Sequence, residues 1–568
     1  MSESYACDVL VVGGGATGAG VLRDLARRGL RTLLVDRGDF GTGTTGRYHG
    51  LLHSGGRYAA KDPLAARECI LENRVLRRIA PGSIEDTGGY FVATPDDPED
   101  YVAAFPAACA AADIPCEEIP VAEALRREPA LNPRIRRVFR LPDGSVEPWH
   151  LIDANIADAR AHGSDAWSYQ RLVALERAGD RIVSATLRDE RSGSSTRVAP
   201  RFLVSTAGAW TGQIAALAGV KVTMLPGKGV MLIYNQRMTD TVVNRCHKSA
   251  DGDIMVPIHT VAILGTTDVR VPDPDVYDIT REEVAALIAE GEKLFPDLGR
   301  MRLLRAYAGV RPLYQPPEEA AASQNRQVSR AHTVLDHGES DGVENYVSIV
   351  GGKLTTYRLM AEDTVDLVCK KLGLNARCTT SEAILPNQVA GKTYWLGHRL
   401  AEHEAEGGGD ADLICECELV TRPMLVDFLD ENWPCSVDDM RRGTRLGMGP
   451  CQGGFCTFRA AGLAAERAAA GRGTGPNRPA VGDSANGTQA VATTASAAGP
   501  TNGGAAEAAD DAIVGYLRER FKGTRPIAAG RQLQELWMVM GIYGGLGVDS
   551  LVRRLAPEAA PEALHASR

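Results

Sequence analysis

Short apolar runs alternate with segments of helical periodicity over most of the first 385 residues. The run Val9–Val12 stops at a group of glycines, apolar residues follow at helical spacing, and Leu33–Val35 forms the next run. Three later runs are also typical of strands: Arg181–Leu187, Phe202–Ser205 and Tyr346–Val350. Strands that alternate with helices in this way predict an α/β architecture.

The pattern loosens after residue 385 and divides into three parts. A cysteine-containing segment occupies 412–465. Residues 470–509 are rich in Gly, Ala, Thr and Pro and almost without large apolar side chains, so we predict a disordered linker there. A short helical region is predicted at 512–550. Its apolar stretch favours a helix that docks on the chain's own body; the alternative is contact with a partner subunit or with a membrane.

Length and charge narrow the class of protein. At 568 residues the chain is too long for one core, so two or more domains are expected. A net charge of -9 is mild, so nucleic acid is not an expected partner. No signal peptide is visible, and no apolar run reaches the roughly 20 residues that a membrane span needs. We therefore expect a location on the cytoplasmic side of the membrane, with peripheral attachment. In that compartment, clustered thiols are better explained as ligands than as disulfides.

The first strand leads into the motif Gly13-x-Gly15-x-x-Gly18 and then into a helix. In such a motif the first glycine permits a tight turn, the second lets the backbone approach a pyrophosphate, and the third lets the helix pack on the strand. The helix N-terminus supplies N–H donors to the phosphates. Asp36 ends the second strand, where a carboxylate can accept hydrogen bonds from ribose hydroxyls. These features together predict a dinucleotide site, but they do not choose between FAD and NAD.

Three later stretches carry further candidate chemistry. "GTGTTGRYHGLLHSGGRYA" combines glycines and hydroxyls with two histidines and two arginines. "LVSTAGAWT" is a strand that ends in Ala-Gly, where the backbone can lie against a ring system. "IVGGKLTTYRLMAE" is a strand, a glycine turn with Lys353, and the start of a helix. Backbone N–H groups at such a helix start suit a flavin pyrimidine edge or a phosphate.

With "VNRCHKSADGDIMVP" and "RAYAGVRPL", these stretches make the chain similar to the FAD-dependent glycerol-3-phosphate dehydrogenases of the anaerobic type. That family lies within the larger glutathione-reductase-like flavoprotein group. The similarity runs over 5–385, resumes at 413–465 and is weaker over 513–547; the linker is not part of it. The resemblance implies an FAD-dependent oxidoreductase at 1–385, with an FAD-binding part at about 1–80, 145–210 and 330–375 and an α+β substrate domain at about 81–144 and 211–329.

The resemblance also implies which residues lie near the flavin and the substrate. The cofactor-binding candidates are Gly13, Gly15, Ala16, Thr17, Gly18, Asp36, Arg37, Thr44, Thr45, Gly46, His53, Ser54, Leu172, Ala207, Gly208, Trp210, Gly352, Lys353, Leu354 and Thr355. The catalytic and substrate-binding candidates are His53, Arg57, Tyr58, Thr267, Arg311, Arg330 and Lys353, together with Thr266. Arginine suits a phosphate dianion because its N–H groups bind in parallel pairs. The acceptor of the C2 hydroxyl proton stays open between His53, whose pKa suits a base, and a role for Arg311 in stabilising an alkoxide.

Four cysteines form a second candidate centre. Cys415 and Cys417 are two residues apart and face the same way in an extended segment, and Cys451 and Cys456 flank "QGGF". Four thiolates suit a [2Fe–2S] cluster or a structural zinc ion. Zinc sites usually use C-x₂-C pairs, so the spacing favours iron–sulfur. The segment resembles bacterioferritin-associated-ferredoxin-like domains, whose [2Fe–2S] ligands have this order; Cys435 is a fifth thiol that such a cluster does not need.

The resulting expectation is an enzyme that oxidises sn-glycerol 3-phosphate to dihydroxyacetone phosphate. Hydride passes to FAD, and electrons pass through the [2Fe–2S] centre to an iron–sulfur subunit, a membrane anchor and quinone. One alternative is a flavin-dependent dehydrogenase of an opine or a secondary amine. Another is a flavin- and metal-binding scaffold without catalytic activity.

Overall fold

The computed structural model describes residues 5–316, 328, 331–388, 396–405, 407, 412–469, 513, 515–517, 520, 522–528 and 532–534. Arg330, the predicted linker at 470–509 and most of the predicted helical region at 512–550 lie outside these ranges. The chain divides into two compact units, 1–398 and 399–568. None of the helices in the described ranges is long and apolar enough to cross a bilayer.

The strands alternate with helices through the first unit, as the apolar pattern predicts. The strands are β1 Tyr5–Val12, β2 Thr32–Val35, β3 Leu51–Leu52, β4 Ile84–Glu85, β5 Gly89–Ala93, β6 Glu117–Ile119, β7 Arg137–Leu141, β8 Gly144–Val146, β9 Asp165–Trp167, β10 Gln170–Ala178, β11 Arg181–Asp189, β12 Ser195–Ser205, β13 Met224–Tyr234, β14 Val242–Arg245, β15 Ile254–Ile258, β16 Val261–Gly265, β17 Val269–Arg270, β18 Leu303–Tyr314, β19 His332–Asp336, β20 Tyr346–Gly351, β21 Leu413–Cys415 and β22 Val420–Thr421. The helices are α1 Ala16–Arg27, α2 Gly56–Ala59, α3 Pro63–Ile79, α4 Glu99–Ala111, α5 Val121–Arg127, α6 Pro148–Ala161, α7 Thr211–Leu217, α8 Arg281–Gly291, α9 His337–Asp341, α10 Tyr357–Leu372, α11 Leu396–Ala405, α12 Arg422–Asn432, α13 Val437–Thr444 and α14 Cys456–Ala469.

The first sheet has a parallel centre. Its order is β10-β11-β12-β1-β2-β9, and β20 pairs with both β12 and β19. The contacts of β1 with β2 and β12, of β2 with β9, and of β12 with β20 are parallel. The predicted strands at 181–187, 202–205 and 346–350 fall within β11, β12 and β20. The predicted α/β architecture is therefore confirmed for this part of the chain.

Two apolar layers cover this sheet. On one side α1, α6 and α10 bury residues such as Leu22, Leu25 and Val365 against Val9 and Val11. On the other side Leu10 and Leu203 pack with Trp167 and neighbouring side chains. Because successive side chains of β1 point to opposite faces, its continuous apolar run supplies both layers.

A second, mixed sheet stands beside the first in the same unit. Its order is β17-β13-β16-β15-β14-β5-β7-β6, and β18 pairs along the length of β13. The strands of this sheet therefore come from two separate stretches of chain, within 89–141 and within 224–314. Phe91, Phe105 and Phe139 form part of the core between this sheet and α4.

The second unit is a small helical body with the hairpin β21–β22. Apolar residues of α12, α13 and α14 pack on Ile414 and Val420. Ile513, Tyr516 and Leu517 belong to the same core, and the Tyr516 hydroxyl donates to the carbonyl of Gln452 at 2.9 Å. The start of the predicted C-terminal helical region thus docks on the cysteine-containing body.

A buried ion pair connects α3 to α10. Arg358 donates from Nη2 and Nε to the two carboxylate oxygens of Glu72, at 2.6 and 2.9 Å, and both side chains are 5% exposed. We predict that Arg358→Met lowers the free energy of unfolding by about 3–5 kcal/mol, because it leaves a buried carboxylate without its partner. The double variant Glu72→Gln/Arg358→Met should recover a large part of that loss. Unfolding by denaturant, monitored through the release of flavin, measures the stability of the single and the double variant. A double variant that is no more stable than Arg358→Met would contradict this account.

Candidate active site

A cavity of about 470 Å³ lies at the carboxyl ends of β1, β2, β12 and β20. Ligands of parallel α/β sheets bind at this edge, where the strands deliver loops and helix N-termini. Of the predicted cofactor-binding residues, the cavity is lined by Gly13, Gly15, Ala16, Thr17, Asp36, Arg37, Thr44, Thr45, Leu172, Ala207, Gly208, Trp210, Gly352, Lys353 and Leu354.

The β1–α1 turn has no space for side chains. Gly13 has a φ of +113°, and a Cβ there would lie 2.7 Å from the carbonyl oxygen of Thr206. A Cβ on Gly18 would lie 1.9 Å from the carbonyl oxygen of Gly13. Gly15 differs, because the nearest atom to its Cβ would be the hydroxyl of Thr45 at 2.9 Å. Gly18 therefore lets the helix pack directly against the backbone of the turn, whereas Gly15 lines the cavity.

Asp36 holds the turn from the end of β2. Its carboxylate accepts from the backbone N–H of Gly14 at 2.7 Å and of Gly38 at 2.9 Å. Burial raises the pKa of the Asp36 carboxyl, and these two backbone hydrogen bonds oppose that rise. Next to it, Arg37 stacks on the Trp210 ring at 4.7 Å. A cradle without Cβ atoms, a helix N-terminus and a carboxylate at the second strand fit the pyrophosphate and ribose of FAD.

The remaining predicted cofactor residues lie around the cavity rather than in its lining. Thr355 is buried and accepts from the backbone N–H of His53 at 3.1 Å, and the Ser54 N–H donates to Asp143 at 2.6 Å. A Cβ on Gly46 would lie 2.2 Å from the carbonyl oxygen of Gly41. Sequence reasoning did not select several further lining residues: Arg47, Tyr48, Gln170, Arg171, Gln213, Asp275, Tyr277, Pro312 and Met360. Arg47, Tyr48, Pro312 and Met360 lie inside the stretches quoted in the sequence analysis, and the other five lie outside them.

Arg57 is held by a buried carboxylate. Its Nη2 donates to both oxygens of Asp253 and to the hydroxyl of Ser249, each at 2.9 Å. The side chains of Arg57 and Asp253 are 9% and 1% exposed. Burial alone would raise the pKa of Asp253, but the charge of Arg57 holds it well below its usual range. This arginine is thus fixed in position and stays charged.

Arg311 is held in the same manner from the second sheet. Its Nη1 donates to Asp268 at 3.1 Å, and its Nη2 donates to the carbonyl of Thr267 at 2.9 Å and to the hydroxyl of Thr266. The Thr267 hydroxyl accepts from the backbone N–H of Val230 at 3.0 Å and is buried. Thr266 and the main chain of Thr267 therefore position Arg311, while the Thr267 side chain holds the strand.

His53, Tyr58 and Lys353 form an aromatic and cationic group at the flavin cavity. The rings of His53 and Tyr58 lie 5.4 Å apart, and the Lys353 ammonium lies 5.0 Å from the centre of the Tyr58 ring. Lys353 also lines the cavity, so this group adjoins the space for the flavin. The ring of His49, a residue that the sequence analysis did not single out, lies 5.6 Å from that of His53.

The four predicted metal ligands come together in two pairs in the second unit. A hydrogen bond with Cys456 is the main cause that lowers the pKa of the Cys415 thiol to about 7. Burial raises the pKa of Cys417 to about 11, with the contact to Cys451 as a further cause. A Cβ on Gly449 would lie 2.5 Å from the Cβ of Cys417, so the loop passes close to this thiol. In the described part of the chain, no three His, Cys, Asp or Glu side chains converge on a single metal position.

Comparison with known proteins agrees with this geometry. The family "FAD dependent oxidoreductase" matches residues 8–367. The chain is 39% identical to the A subunit of the anaerobic glycerol-3-phosphate dehydrogenase of Escherichia coli K12, over 96% of this chain and 97% of that protein. It is 41% identical to the corresponding A1 subunit of Haloferax volcanii, over 80% and 82%. In fold it is similar to the FAD-complexed glycerol-3-phosphate dehydrogenase of Bacillus halodurans, with a TM-score of 0.55, 22% identity, and coverage of 82% of this chain and 80% of that chain.

The chain therefore belongs to the FAD-dependent oxidoreductases, and within them to the family of the anaerobic glycerol-3-phosphate dehydrogenase A subunits. The expected FAD-binding fold and the expected enzyme class are confirmed.

The two glycines of the turn should respond differently to substitution. We predict that Gly18→Ala lowers stability by several kcal/mol, on the order of the most damaging core changes, because its Cβ meets backbone that cannot move away. Gly15→Ala should cost much less stability, since it displaces a side-chain hydroxyl that accepts one hydrogen bond, from Ala16 N–H, but it should reduce FAD content because a methyl group enters the pyrophosphate position. Thermal unfolding and the ratio of flavin to protein absorbance check the pair. Equal effects of the two variants on stability would contradict it.

Proposed function

We propose that this enzyme oxidises sn-glycerol 3-phosphate at C2 to dihydroxyacetone phosphate. The observation that carries the proposal is the pair of guanidinium groups, Arg57 and Arg311, each fixed by a buried carboxylate, in the same unit as the FAD cavity. Lys353 adds a third cation at the cavity itself. A phosphate dianion needs several fixed cationic donors, whereas one cation suffices for the carboxylate of an amino acid and a neutral amine needs none.

Each of these residues has a proposed role in the reaction. Arg57 and Arg311 hold the phosphate, because their guanidinium groups stay charged and are fixed by Asp253 and Asp268. His53 takes the proton of the C2 hydroxyl; an imidazole can accept it near neutral pH, whereas a guanidinium keeps its own protons. Arg311 stabilises negative charge on the same oxygen. FAD, when bound, supplies the acceptor for the hydride from C2.

The cysteine unit fits a [2Fe–2S] cluster in its donor chemistry. Cys415 contacts Cys456, and Cys417 contacts Cys451. Two pairs of thiols suit two irons with two thiolates each, whereas zinc requires all four ligands around one point. Such a cluster, when held by these four thiolates, would supply an acceptor that takes one electron at a time. The relatives are named as one subunit of a larger enzyme, which supports partner subunits that receive these electrons. A peripheral association on the cytoplasmic side of the membrane and quinone as the final acceptor belong to the same proposal.

A substrate panel tests the reaction class. The FAD-loaded protein is mixed under anaerobic conditions with glycerol 3-phosphate, with glycerol, and with the amines glycine and sarcosine, and flavin absorbance is recorded. Bleaching by glycerol 3-phosphate at concentrations where the others are inert is the expected result. Bleaching by an amine but not by glycerol 3-phosphate would replace the proposal with the amine dehydrogenase alternative.

Arg311 provides a quantitative prediction. Arg311→Met should lower kcat/KM for glycerol 3-phosphate by at least about 30-fold, because truncating one member of a buried charge pair costs about 2 kcal/mol or more. Arg300→Met is the matched control, since this arginine is 88% exposed and pairs with an exposed aspartate. Steady-state kinetics with an artificial electron acceptor measures both variants. A loss shared by the control, or none in Arg311→Met, would contradict the assignment.

The cysteines provide a further testable prediction. Cys451→Ser should remove the electron paramagnetic resonance signal of the reduced cluster and most of the bound iron, while glycerol 3-phosphate still bleaches the flavin. Cys435→Ser is the control, because this thiol lies outside the two pairs. The signal of the reduced cluster should persist in that variant. Zinc in place of iron by metal analysis would refute the cluster, and a cluster signal that survives Cys451→Ser would refute Cys451 as one of its ligands.

A further inference from the structure

His49 lies in the loop that leads into β3, beside the proposed substrate-binding residues. Its ring stands edge-on to that of His53, with centroids 5.6 Å apart. The opposite wall is the end of β16, where a Cβ on Gly265 would lie 3.7 Å from the Cβ of His49. The hydroxyl oxygen of Thr266, the next residue, accepts a hydrogen bond from Arg311. His49 therefore stands between the loop of His53 and the loop that fixes Arg311.

The tautomer of His49 follows from one hydrogen bond. The backbone N–H of Leu51 donates to Nδ1 of His49 at 3.2 Å. A nitrogen that accepts carries no proton, so the neutral ring has its proton on Nε2 and presents a donor there. Burial, followed by the positive charges of Arg57 and Arg311, lowers the pKa of His49 to about 3, so the ring stays neutral at physiological pH.

A phosphate between the two arginines needs more donors than they alone provide. Its three terminal oxygens have about six acceptor positions, and each guanidinium already uses N–H groups on a carboxylate. A positive charge at the position of His49 would be repelled by Arg57 and Arg311, whereas a neutral imidazole N–H adds a donor there without adding charge. The Nε2–H of His49 is such a neutral donor, and it makes no hydrogen bond to an acceptor among the described residues.

We propose that His49 is a further substrate-binding residue, which donates a hydrogen bond from Nε2 to the phosphate group of the substrate. The inference rests on the proposed function, because it takes glycerol 3-phosphate as that substrate. The competing explanation is that His49 only fastens the loop, through its Nδ1 contact with Leu51.

Two substitutions separate these roles. In His49→Asn the amide oxygen can take the place of Nδ1 and keep the bond from Leu51, but nothing reaches the position of Nε2. In His49→Gln the longer side chain can bring its amide N–H to that position. If His49 only fastens the loop, Asn should be the milder change; if it binds phosphate through Nε2, Gln should be.

The test uses the FAD-loaded full chain. Anaerobic stopped-flow reduction by glycerol 3-phosphate gives a dissociation constant and a limiting rate of flavin reduction. Binding of inorganic phosphate to the oxidised protein, followed by the flavin difference spectrum, gives a second dissociation constant that needs no turnover. FAD content and thermal unfolding show whether each variant is folded.

For His49→Asn we expect both dissociation constants to rise about tenfold, the contribution of one hydrogen bond to a charged group, with the limiting rate within threefold of the parent. His49→Gln should recover at least half of that loss on a logarithmic scale. Dissociation constants within twofold of the parent in His49→Asn would overturn the proposal. So would a fall confined to the limiting rate, which would place His49 at the reacting carbon. If glycerol 3-phosphate does not reduce the parent flavin, the proposed function fails, while the inorganic phosphate constants still decide whether His49 binds phosphate.

Discussion

The close approach of the β1–α1 turn to the backbone after β12 is the constraint on which the flavin site depends. Gly13 and Gly18 allow the turn, the helix and the strand to meet within distances that no side chain tolerates. The Asp36 carboxylate then fastens the turn by accepting the Gly14 N–H. Since all of this lies at the ends of parallel strands, it leaves backbone donors and one carboxylate facing a single cavity. The rest of the first unit supplies the walls of that cavity and the residues that we propose bind the substrate.

The guanidinium groups that we propose bind the substrate are fixed in position before any ligand binds. Arg57 comes from α2 and Arg311 from β18, and each is held by an aspartate that the surrounding fold buries. Such pairing lowers the net positive charge but removes the entropy that free arginine side chains would lose on binding. Binding then depends on geometry and on donors such as the hydroxyl and imidazole groups nearby, which suits a small and highly hydrated dianion.

Local features of the sequence allowed the α/β core and the dinucleotide turn to be predicted. These features all lie within about thirty residues: the apolar runs of β1 and β2, the spacing of the glycines, and Asp36. Over so short a stretch, the spacing of residues along the chain follows directly from the geometry of strand, turn and helix. The partners of the arginines were not predictable in this way: Asp253 is 196 positions from Arg57, and only the folded sheet brings them together. Thr267 illustrates the reverse case, because a family motif marked it while its hydroxyl contacts the main chain. His49 was missed because only its contacts distinguish it from any other histidine in a glycine-containing loop.

The central claim is that electrons from glycerol 3-phosphate enter at the flavin and leave through the cysteine unit. Rapid freeze-quench after anaerobic mixing with one equivalent of glycerol 3-phosphate, with flavin absorbance and the electron paramagnetic resonance spectrum recorded on matched samples, tests it most directly. The account predicts that the flavin bleaches first and that a reduced [2Fe–2S] signal then grows as a flavin radical forms. A bleached flavin with no such signal, in protein shown to contain the cluster, would contradict the claim.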